Sequence, residues 1–294
     1  MRHVKLEILQ WMLASIAAIA CAPTTVIAAD LCLTSSPAML APRLSEITDV
    51  RWLEDTQIWQ QPIAHQRTPR MQAKQLWDDD GEPFQDVTLG GVMPVLDWRS
   101  NHTDFQFSIA GAVFSRFESF GHLVAEDYLG VVQLSGQTGG LQWRLAFEHL
   151  SGHLGDEFLE AEASISRISY YRDELVVGLA RPITDKLRGY FQFGQAFNGH
   201  DSEEPTRFNY GFEWTTPSQL AHSIAAPYFA VDFELRSEQS YDPNSTIQVG
   251  LIRTRPFSSR AIRMALEYYQ GNSPFGQFFE EEEDSFGMIL AYTF

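Results

Sequence analysis

The fold is decided by the last stretch of the chain, Phe286-Gly287-Met288-Ile289-Leu290-Ala291-Tyr292-Thr293-Phe294. Large apolar or aromatic residues occupy every second position of this stretch, and the residues between them are small or of modest size. Alternate residues of a β-strand share one face, so the pattern predicts a strand with one wide apolar face. A strand that closes a membrane barrel needs lipid-facing apolar residues and an aromatic residue at the water interface. The stretch therefore predicts a transmembrane β-barrel, and the alternative is the edge strand of a soluble β-sandwich.

The same stretch resembles the terminal strand that outer-membrane barrel proteins present to their assembly machinery. That strand has Phe in last place and hydrophobic residues at alternate positions before it, as this chain does. The resemblance implies a protein of the outer membrane of a Gram-negative bacterium, with the barrel assembly machinery as one partner. Membrane lipids or lipopolysaccharide are the other partners expected of such a barrel.

The charge and hydropathy of the whole chain exclude some alternatives. The chain has 294 residues and a formal net charge of −17, and we expect no nucleic-acid partner because phosphate binding needs a basic surface. The mean hydropathy of −0.19 argues against helical membrane spans. It is compatible with a barrel, since only every other residue of a barrel strand faces lipid.

The N-terminus has the pattern of a signal peptide over residues 1–29. Arg2 and Lys5 give it a positive start, an apolar run follows, and small residues suited to cleavage end it. The sequence thus predicts export. Cys32 would be the single cysteine left, so no internal disulfide is expected. Cys21 suggests a lipoprotein processing site as an alternative, although the usual branched residue three positions before it is missing.

Two regions are predicted after the signal peptide. Residues 30–84 show no sustained period, but their tryptophans, Trp52, Trp59 and Trp77, make them too aromatic for a disordered linker. We expect a periplasmic N-terminal extension here, or a segment folded into the barrel mouth. Residues 85–294 are predicted to form the barrel.

Regular alternation begins near residue 85 and is interrupted by turn-like segments. The candidate strands cover residues 85–98, 104–117, 122–134, 141–152, 158–171, 174–182, 187–197, 206–216, 226–236, 245–255, 260–270 and 285–294. The predicted fold class is therefore all-β, an antiparallel up-and-down transmembrane β-barrel of about 12 strands.

The faces of these strands predict what fills the barrel. Phe229 and Phe233 lie on one face of a candidate strand, and Asp232 and Glu234 lie on the other. A barrel of about 12 strands has a narrow lumen. We therefore expect a lumen filled by inward charged side chains and not an open channel.

Counting strands back from a periplasmic Phe294 predicts the topology. The count puts the connections at 198–205, 237–244 and 271–284 outside the cell. It puts residues 149–156 at the periplasmic end of the barrel.

One candidate strand carries a pair of residues with catalytic potential. His149 and Ser151 share a face with Phe147, which is the predicted lipid face. A serine becomes a nucleophile when a base takes its proton, and a third group then orients the imidazole. Asp156 is our candidate for that third group, and other nearby carboxylates are Glu157, Glu160 and Glu162. A polar pair on a lipid face is costly without a purpose or a partner.

The His-x-Ser pattern on a barrel strand resembles the active sites of outer-membrane phospholipase A and of the outer-membrane lipid A deacylases. The resemblance implies that Ser151 is the nucleophile and His149 the base of a lipid acyl hydrolase. This chain departs from both families, which have Asn where it has Gly152 and an orienting residue where it has Ala163. The alternative is a hydrogen-bonded pair of interface residues at the end of a strand.

Three longer motifs resemble a bacterial family catalogued as domain of unknown function 1207. They are His149-Leu-Ser-Gly-His-Leu-Gly-Asp-Glu157, Ser169-Tyr-Tyr-Arg-Asp-Glu-Leu175 and Glu267-Tyr-Tyr-Gln-Gly-Asn-Ser-Pro-Phe-Gly-Gln-Phe278. The resemblance runs from about residue 50 to the end and implies the barrel architecture without an activity. The motif residues to locate are His153, Gly155, Glu157, Arg172, Pro274 and Gly276.

The sequence leaves two function classes open. The first is a closed, non-catalytic barrel with a structural or binding role, and the alternative is a lipid acyl hydrolase built on Ser151 and His149. No cofactor is expected from the histidine spacing. The acidic run at 280–284 is predicted to be solvated loop charge, with a calcium-collecting surface as its alternative.

Overall fold

A computed structural model describes residues 47–100, 102–118, 121–161, 167–199, 206–216, 225–254 and 259–294. The predicted signal peptide at 1–29, Cys32, Glu162 and Ala163 lie outside these residues. Within the described ranges, no helix is long and apolar enough to cross a bilayer.

The described residues form mostly β-strands. The strands are β1 (Ile47–Trp52), β2 (Met71–Asp78), β3 (Pro83–Ser100), β4 (Asp104–Glu118), β5 (Leu123–Thr138), β6 (Leu141–Leu154), β7 (Tyr170–Pro182), β8 (Leu187–Gly199), β9 (Thr206–Thr215), β10 (Ala226–Arg236), β11 (Asn244–Thr254), β12 (Ala261–Asn272) and β13 (Glu282–Thr293). One short helix, α1 (Asp156–Ala161), follows β6.

Strands β2 to β13 close into a twelve-stranded antiparallel barrel. Each strand pairs with the next one along the chain, and β13 returns to pair with β2, where Phe286 lies opposite Trp77. The first half of β3 pairs with β2 and its last residues pair with β1, where Trp52 lies opposite Leu96. The structure confirms the predicted up-and-down barrel of about 12 strands and excludes the two-sheet sandwich.

Alternation along the strands separates an apolar outer surface from a polar lumen. On β12, Met264 faces outward and is 62% exposed, whereas the next residue inward, Arg263, is 3% exposed. On β13, outward Met288 and Leu290 are likewise exposed while Ile289 is buried. An exposed apolar surface of this extent suits a hydrocarbon environment.

The lumen is filled by residues 53–70, here called the luminal segment. Trp59 of this segment is 0% exposed. The backbone nitrogens of the segment donate to inward side chains, for example from Ile63 to Glu213 at 2.6 Å. Farther along, the His65 ring lies 3.3 Å from the Asp232 carboxylate. This agrees with the predicted filled lumen, and the filling includes main chain as well as charged side chains.

Two strand assignments made from the sequence are wrong. One strand was predicted falsely and one was missed, so the predicted number of strands is still correct. Residues 158–171 were predicted to be a strand, but α1 begins this stretch and β7 starts only at Tyr170. The missed strand is β2, whose outward face mixes Met71 with Gln75 and therefore lacks a clear apolar stripe. As a consequence the barrel starts at residue 71, within the region 30–84 that was predicted as an extension.

The two errors also reverse the direction of strands β3 to β6. The start of β2 and the end of β13 lie together, since Met71 pairs with Tyr292, and we call this side the terminal end. Strand β6 runs away from the terminal end, so Leu154 lies at the far end. Residues 149–156 are thus at the opposite end from the one that the strand count predicted.

The far end is closed by the connection at 273–281, here called the mouth loop. Phe275 and Phe279 of this loop are buried. The Gly276 nitrogen donates to Asp127 at 2.9 Å, and the Gln277 amide donates to the Gly152 carbonyl at 2.7 Å. The loop therefore folds into the barrel mouth and does not project from it.

Candidate active site on the barrel wall

The outer surface of β6 presents His149 next to a carboxylate. His149 Nδ1 lies 2.5 Å from Asp173 Oδ1 on β7. The other oxygen of the same carboxylate accepts a hydrogen bond of 2.9 Å from Asn198 Nδ2 on β8. Asp173 is thus held between an imidazole and an amide on three neighbouring strands.

Strand register explains why these three side chains meet. Asp173 is the cross-strand partner of His149, and Asn198 is the partner of Asp173. A β-bulge lies at this point of β8, because Glu174 pairs with Ala196 and leaves Phe197 without a partner. Without the extra residue Asn198 would point into the lumen. Bulges re-aim side chains in this way and are common beside active sites.

The neighbours of His149 and Asp173 show where this pair lies between the two ends of the barrel. Ser151 lies between Tyr128 and Tyr171 of the adjacent strands, which are interface-type aromatic residues. His149 is two residues closer to the middle of the barrel, next to outward Phe147. The His149–Asp173 pair therefore lies one step closer to the middle of the barrel than Tyr128 and Tyr171. Charged groups at such a position are costly and usually serve a function.

Ser151 and His149 share the outer face of β6, as residues two apart in a strand do. Because Asp173 engages Nδ1, the Nε2 atom of His149 is left for another partner. Among the described residues, no hydrogen bond joins His149 to Ser151. Catalytic hydrogen bonds are often long without substrate and tighten when it binds.

The orienting carboxylate differs from the one expected. Asp156 is the first residue of α1, exposed beyond the end of β6, and no hydrogen bond of the described residues joins it to His149. Glu157 accepts a 3.3 Å hydrogen bond from the Leu123 nitrogen. Sequence analysis missed Asp173, and the signal that could have found it is its alternation with Tyr171 and Leu175, which places it on an outward face.

Packing explains why this chain has glycine at position 152, where the two lipid hydrolase families have Asn. Gly152 points inward, and a Cβ there would lie 2.7 Å from Asp127 Oδ1 and 3.3 Å from the Gly276 Cα. At Gly276 a Cβ would lie 2.2 Å from the Tyr170 ring. Neither position accepts a side chain without displacing the mouth loop.

The other motif residues also build the far end of the barrel. The Gly155 nitrogen donates to the Val124 carbonyl at 2.9 Å, and Pro274 accepts from Arg67 of the luminal segment. Arg172 is buried and pairs with Glu174 at 2.9 Å. His153 faces outward and packs edge-on to Tyr128, with the ring centroids 5.6 Å apart. The three motifs thus meet where β6, β7 and the mouth loop close the barrel.

The acidic run at 280–284 is partly internal. Glu283 points into the barrel and pairs with Arg116 at 2.6 Å, which also pairs with Asp86. Burial and the nearby charge of Glu283 raise the pKa of Glu281. Within the described residues, no group of three or more His, Cys, Asp or Glu side chains is arranged to hold a metal ion.

Comparison with solved structures identifies barrels of the same kind. Outer membrane phospholipase A from Escherichia coli matches with a TM-score of 0.52 at 8% identity, over 76% of this chain and 92% of that one. The KdgM porin matches with a TM-score of 0.45 at 9% identity, over 76% and 98%. The β domain of the Bordetella autotransporter BrkA gives 0.42 at 12% identity, over 76% and 97%. At these identities the likeness concerns the fold alone.

Comparison of sequences gives the family. No curated protein matches this chain. The sequence pattern of the family described as "Protein of unknown function (DUF1207)" matches residues 61–294, which contain the luminal segment from residue 61, the whole barrel and all three motifs. The chain therefore belongs to this family of proteins of unknown function.

Proposed function

We propose that this protein hydrolyses acyl esters of membrane lipids on the outer wall of its barrel. Ser151 is the nucleophile, His149 is the general base, and Asp173 is a positioning residue. The observation that carries the proposal is the contact of 2.5 Å between His149 and Asp173 on the outer wall, beside exposed apolar side chains such as Phe147. A soluble substrate has no ready access to this surface, whereas a lipid does.

The chemistry requires a defined proton position. Asp173 accepts the Nδ1 proton of His149, so Nε2 is unprotonated and takes the proton of Ser151 as its oxygen attacks the ester carbonyl. The protonated imidazole then gives this proton to the leaving alcohol, and Ser151 carries the acyl group. Water, activated by His149, cleaves the acyl-serine bond and restores the enzyme.

The expected location is the outer membrane, with the terminal end in the periplasm. The longest connection between strands, residues 155–169, leaves β6 and enters β7 at the far end. Outer-membrane barrels have short periplasmic turns and longer extracellular loops. This orientation brings His149 to the outer leaflet, so the substrates are phospholipid or lipopolysaccharide acyl esters.

The test is acyl release from defined lipids by the purified, detergent-folded protein. Fatty acid is measured from phospholipid and from lipid A, with the parent protein and with Ser151→Ala and His149→Ala. Ser245→Ala is the matched control, because Ser245 is an outward serine at the far end of β11. The proposal predicts loss of release in the two site variants and unchanged release in the control. Equal release by the parent and Ser151→Ala contradicts it.

A second candidate function is a closed, non-catalytic barrel with a structural or binding role. The observation that favours it is that the family motifs build the closure of the far mouth, with Gln277 bound to the carbonyls of Gly152 and Ile168. Absence of acyl release from both lipid classes by the parent protein supports this candidate against the hydrolase.

A further inference from the structure

The terminal end of the lumen opens into a vestibule of about 730 Å³. Its floor is the luminal segment, and its rim is formed by strand ends such as Gln142, Thr254 and Thr293. Sites for small molecules commonly measure about 300–1,000 Å³. The vestibule is therefore large enough for a ligand, and it lies at the other end of the barrel from His149.

Two arginines in the vestibule are buried without a countercharge. Arg70 is 1% exposed and Arg263 is 3% exposed. Neither forms an ion pair with any described residue. Arg70 donates to the main-chain carbonyls of Ile63 at 2.6 Å and His65 at 2.8 Å, and Arg263 donates to that of Ile63 at 3.2 Å. The Nε–H of each arginine has no acceptor among the described residues.

The nearby carboxylates are already engaged. Glu267 pairs with Lys74 at 2.7 Å, and Glu213 pairs with Arg188 at 2.8 Å. A buried charge without a partner is strongly unfavourable.

Other buried arginines of the barrel show the contrast. Arg172 pairs with Glu174 at 2.9 Å, and Arg236 pairs with Glu234 at 2.7 Å. Arg207 contacts three carboxylates. Charge pairing is thus the rule among these luminal arginines, and Arg70 and Arg263 depart from it.

We propose that the vestibule binds an anion that carries a carboxylate or phosphate group, through Arg263 and Arg70. The planar guanidinium group matches the geometry of both oxyanions. The vestibule opens at the terminal end, so the ligand enters from that side. Side-chain amides at Gln57, Gln60 and Gln142 line the same space and hydrogen-bond the uncharged part of the ligand. The site is independent of the proposed hydrolase.

The test is anion-dependent unfolding of the full-length protein in detergent. The unfolding temperature is measured at constant ionic strength in chloride, in inorganic phosphate and in citrate. Phosphate, citrate or both raise it by at least about 2 °C for the parent protein. Isothermal titration calorimetry with the same anions gives a direct second measurement. The anion that binds shows which oxyanion the site prefers.

Two variants separate ligand binding from a structural role. Arg263→Met removes the unpaired charge, so its unfolding temperature in chloride is equal to or higher than that of the parent, and the anion-induced shift disappears. Lys186→Gln is the matched control, because Lys186 is an exposed cation on the vestibule rim, and it keeps the shift. The proposal is overturned if the parent responds to neither anion, if Arg263→Met keeps the shift, or if Arg263→Met is destabilised in chloride.

Discussion

Asp173 is the residue on which the proposed chemistry depends most. It contacts no substrate, but it fixes which nitrogen of His149 carries a proton, because it accepts from Nδ1. Asn198 holds the second oxygen of the same carboxylate and thereby fixes its rotation. At the residue scale, the proposed chemistry therefore depends on the orientation of the His149 ring and on its tautomer.

Asp173→Asn tests this role. An amide in place of the carboxylate can donate to Nδ1 and so favours the wrong imidazole tautomer, and we expect kcat for acyl release to fall by about 10²–10⁴-fold. KM should change little, since Asp173 lies behind the imidazole. Asn198→Ala should have a smaller effect on kcat. Unchanged kcat in Asp173→Asn would show that the pair has no catalytic role.

Alternation along one strand was enough to place His149 and Ser151 on the outer wall from the sequence. Asp173 was not found, since its pairing with His149 depends on the register of two strands joined by the connection 155–169. A connection of that length leaves the register open. The local sequence pattern therefore predicts on which face of the barrel a residue lies, whereas its cross-strand partner can be identified only from the three-dimensional structure.

At the scale of elements, the mouth loop and β6 depend on each other. A Cβ at Gly152 would collide with Asp127 Oδ1 and a Cβ at Gly276 with the Tyr170 ring, and Asp127 also binds the Gly276 nitrogen. Sequence reasoning identified these motifs as characteristic but assigned the mouth loop to an outer turn. Its inward course depends on hydrogen bonds to distant strands, and no local pattern encodes them.

Gly152→Ala should loosen this closure. The added methyl meets Asp127 Oδ1 at 2.7 Å, and we expect a loss of about 1–3 kcal/mol in the free energy of unfolding, measured by denaturant titration. Gly130→Ala is the matched control, because Gly130 faces outward and a Cβ there meets nothing within 4 Å. Equal stability of both variants would contradict the packing explanation.

The same scale explains why the strand number was predicted correctly and the topology was not. Strand β2 carries Gln75 on its outward face, so its pattern was missed, and the false strand at 158–171 replaced it. The predicted number of strands stayed even because the missed strand β2 and the false strand at 158–171 offset each other. The direction of β6, and with it the side on which His149 lies, changed.

At the scale of the whole molecule, the barrel is filled from the floor of the vestibule to the far mouth. The luminal segment reaches the mouth loop, where Arg67 binds the Pro274 carbonyl and lies 3.4 Å from the Asp127 carboxylate. Paired charges such as Glu174 and Arg207 occupy the space around it. The working surfaces of such a molecule are its outer wall and its two ends.

Ion conductance tests this filled lumen. In planar lipid bilayers the parent protein should show no steady open channel, because the luminal segment and the mouth loop block the path. Deletion of residues 53–66 together with the mouth loop should produce conductance, since it removes Trp59, the main chain that binds Glu213, and the closure of the far end. A steady open channel in the parent would contradict a filled lumen.

The most direct measurement of the central claim is covalent labelling of the folded protein by a lipophilic fluorophosphonate, with the modified residue identified by mass spectrometry. This reagent reacts with serines that a neighbouring base activates. We expect one modified residue, Ser151, and loss of its labelling in His149→Ala. The proposed hydrolase is wrong if Ser151 is not labelled in the parent protein, or if it is still labelled in His149→Ala.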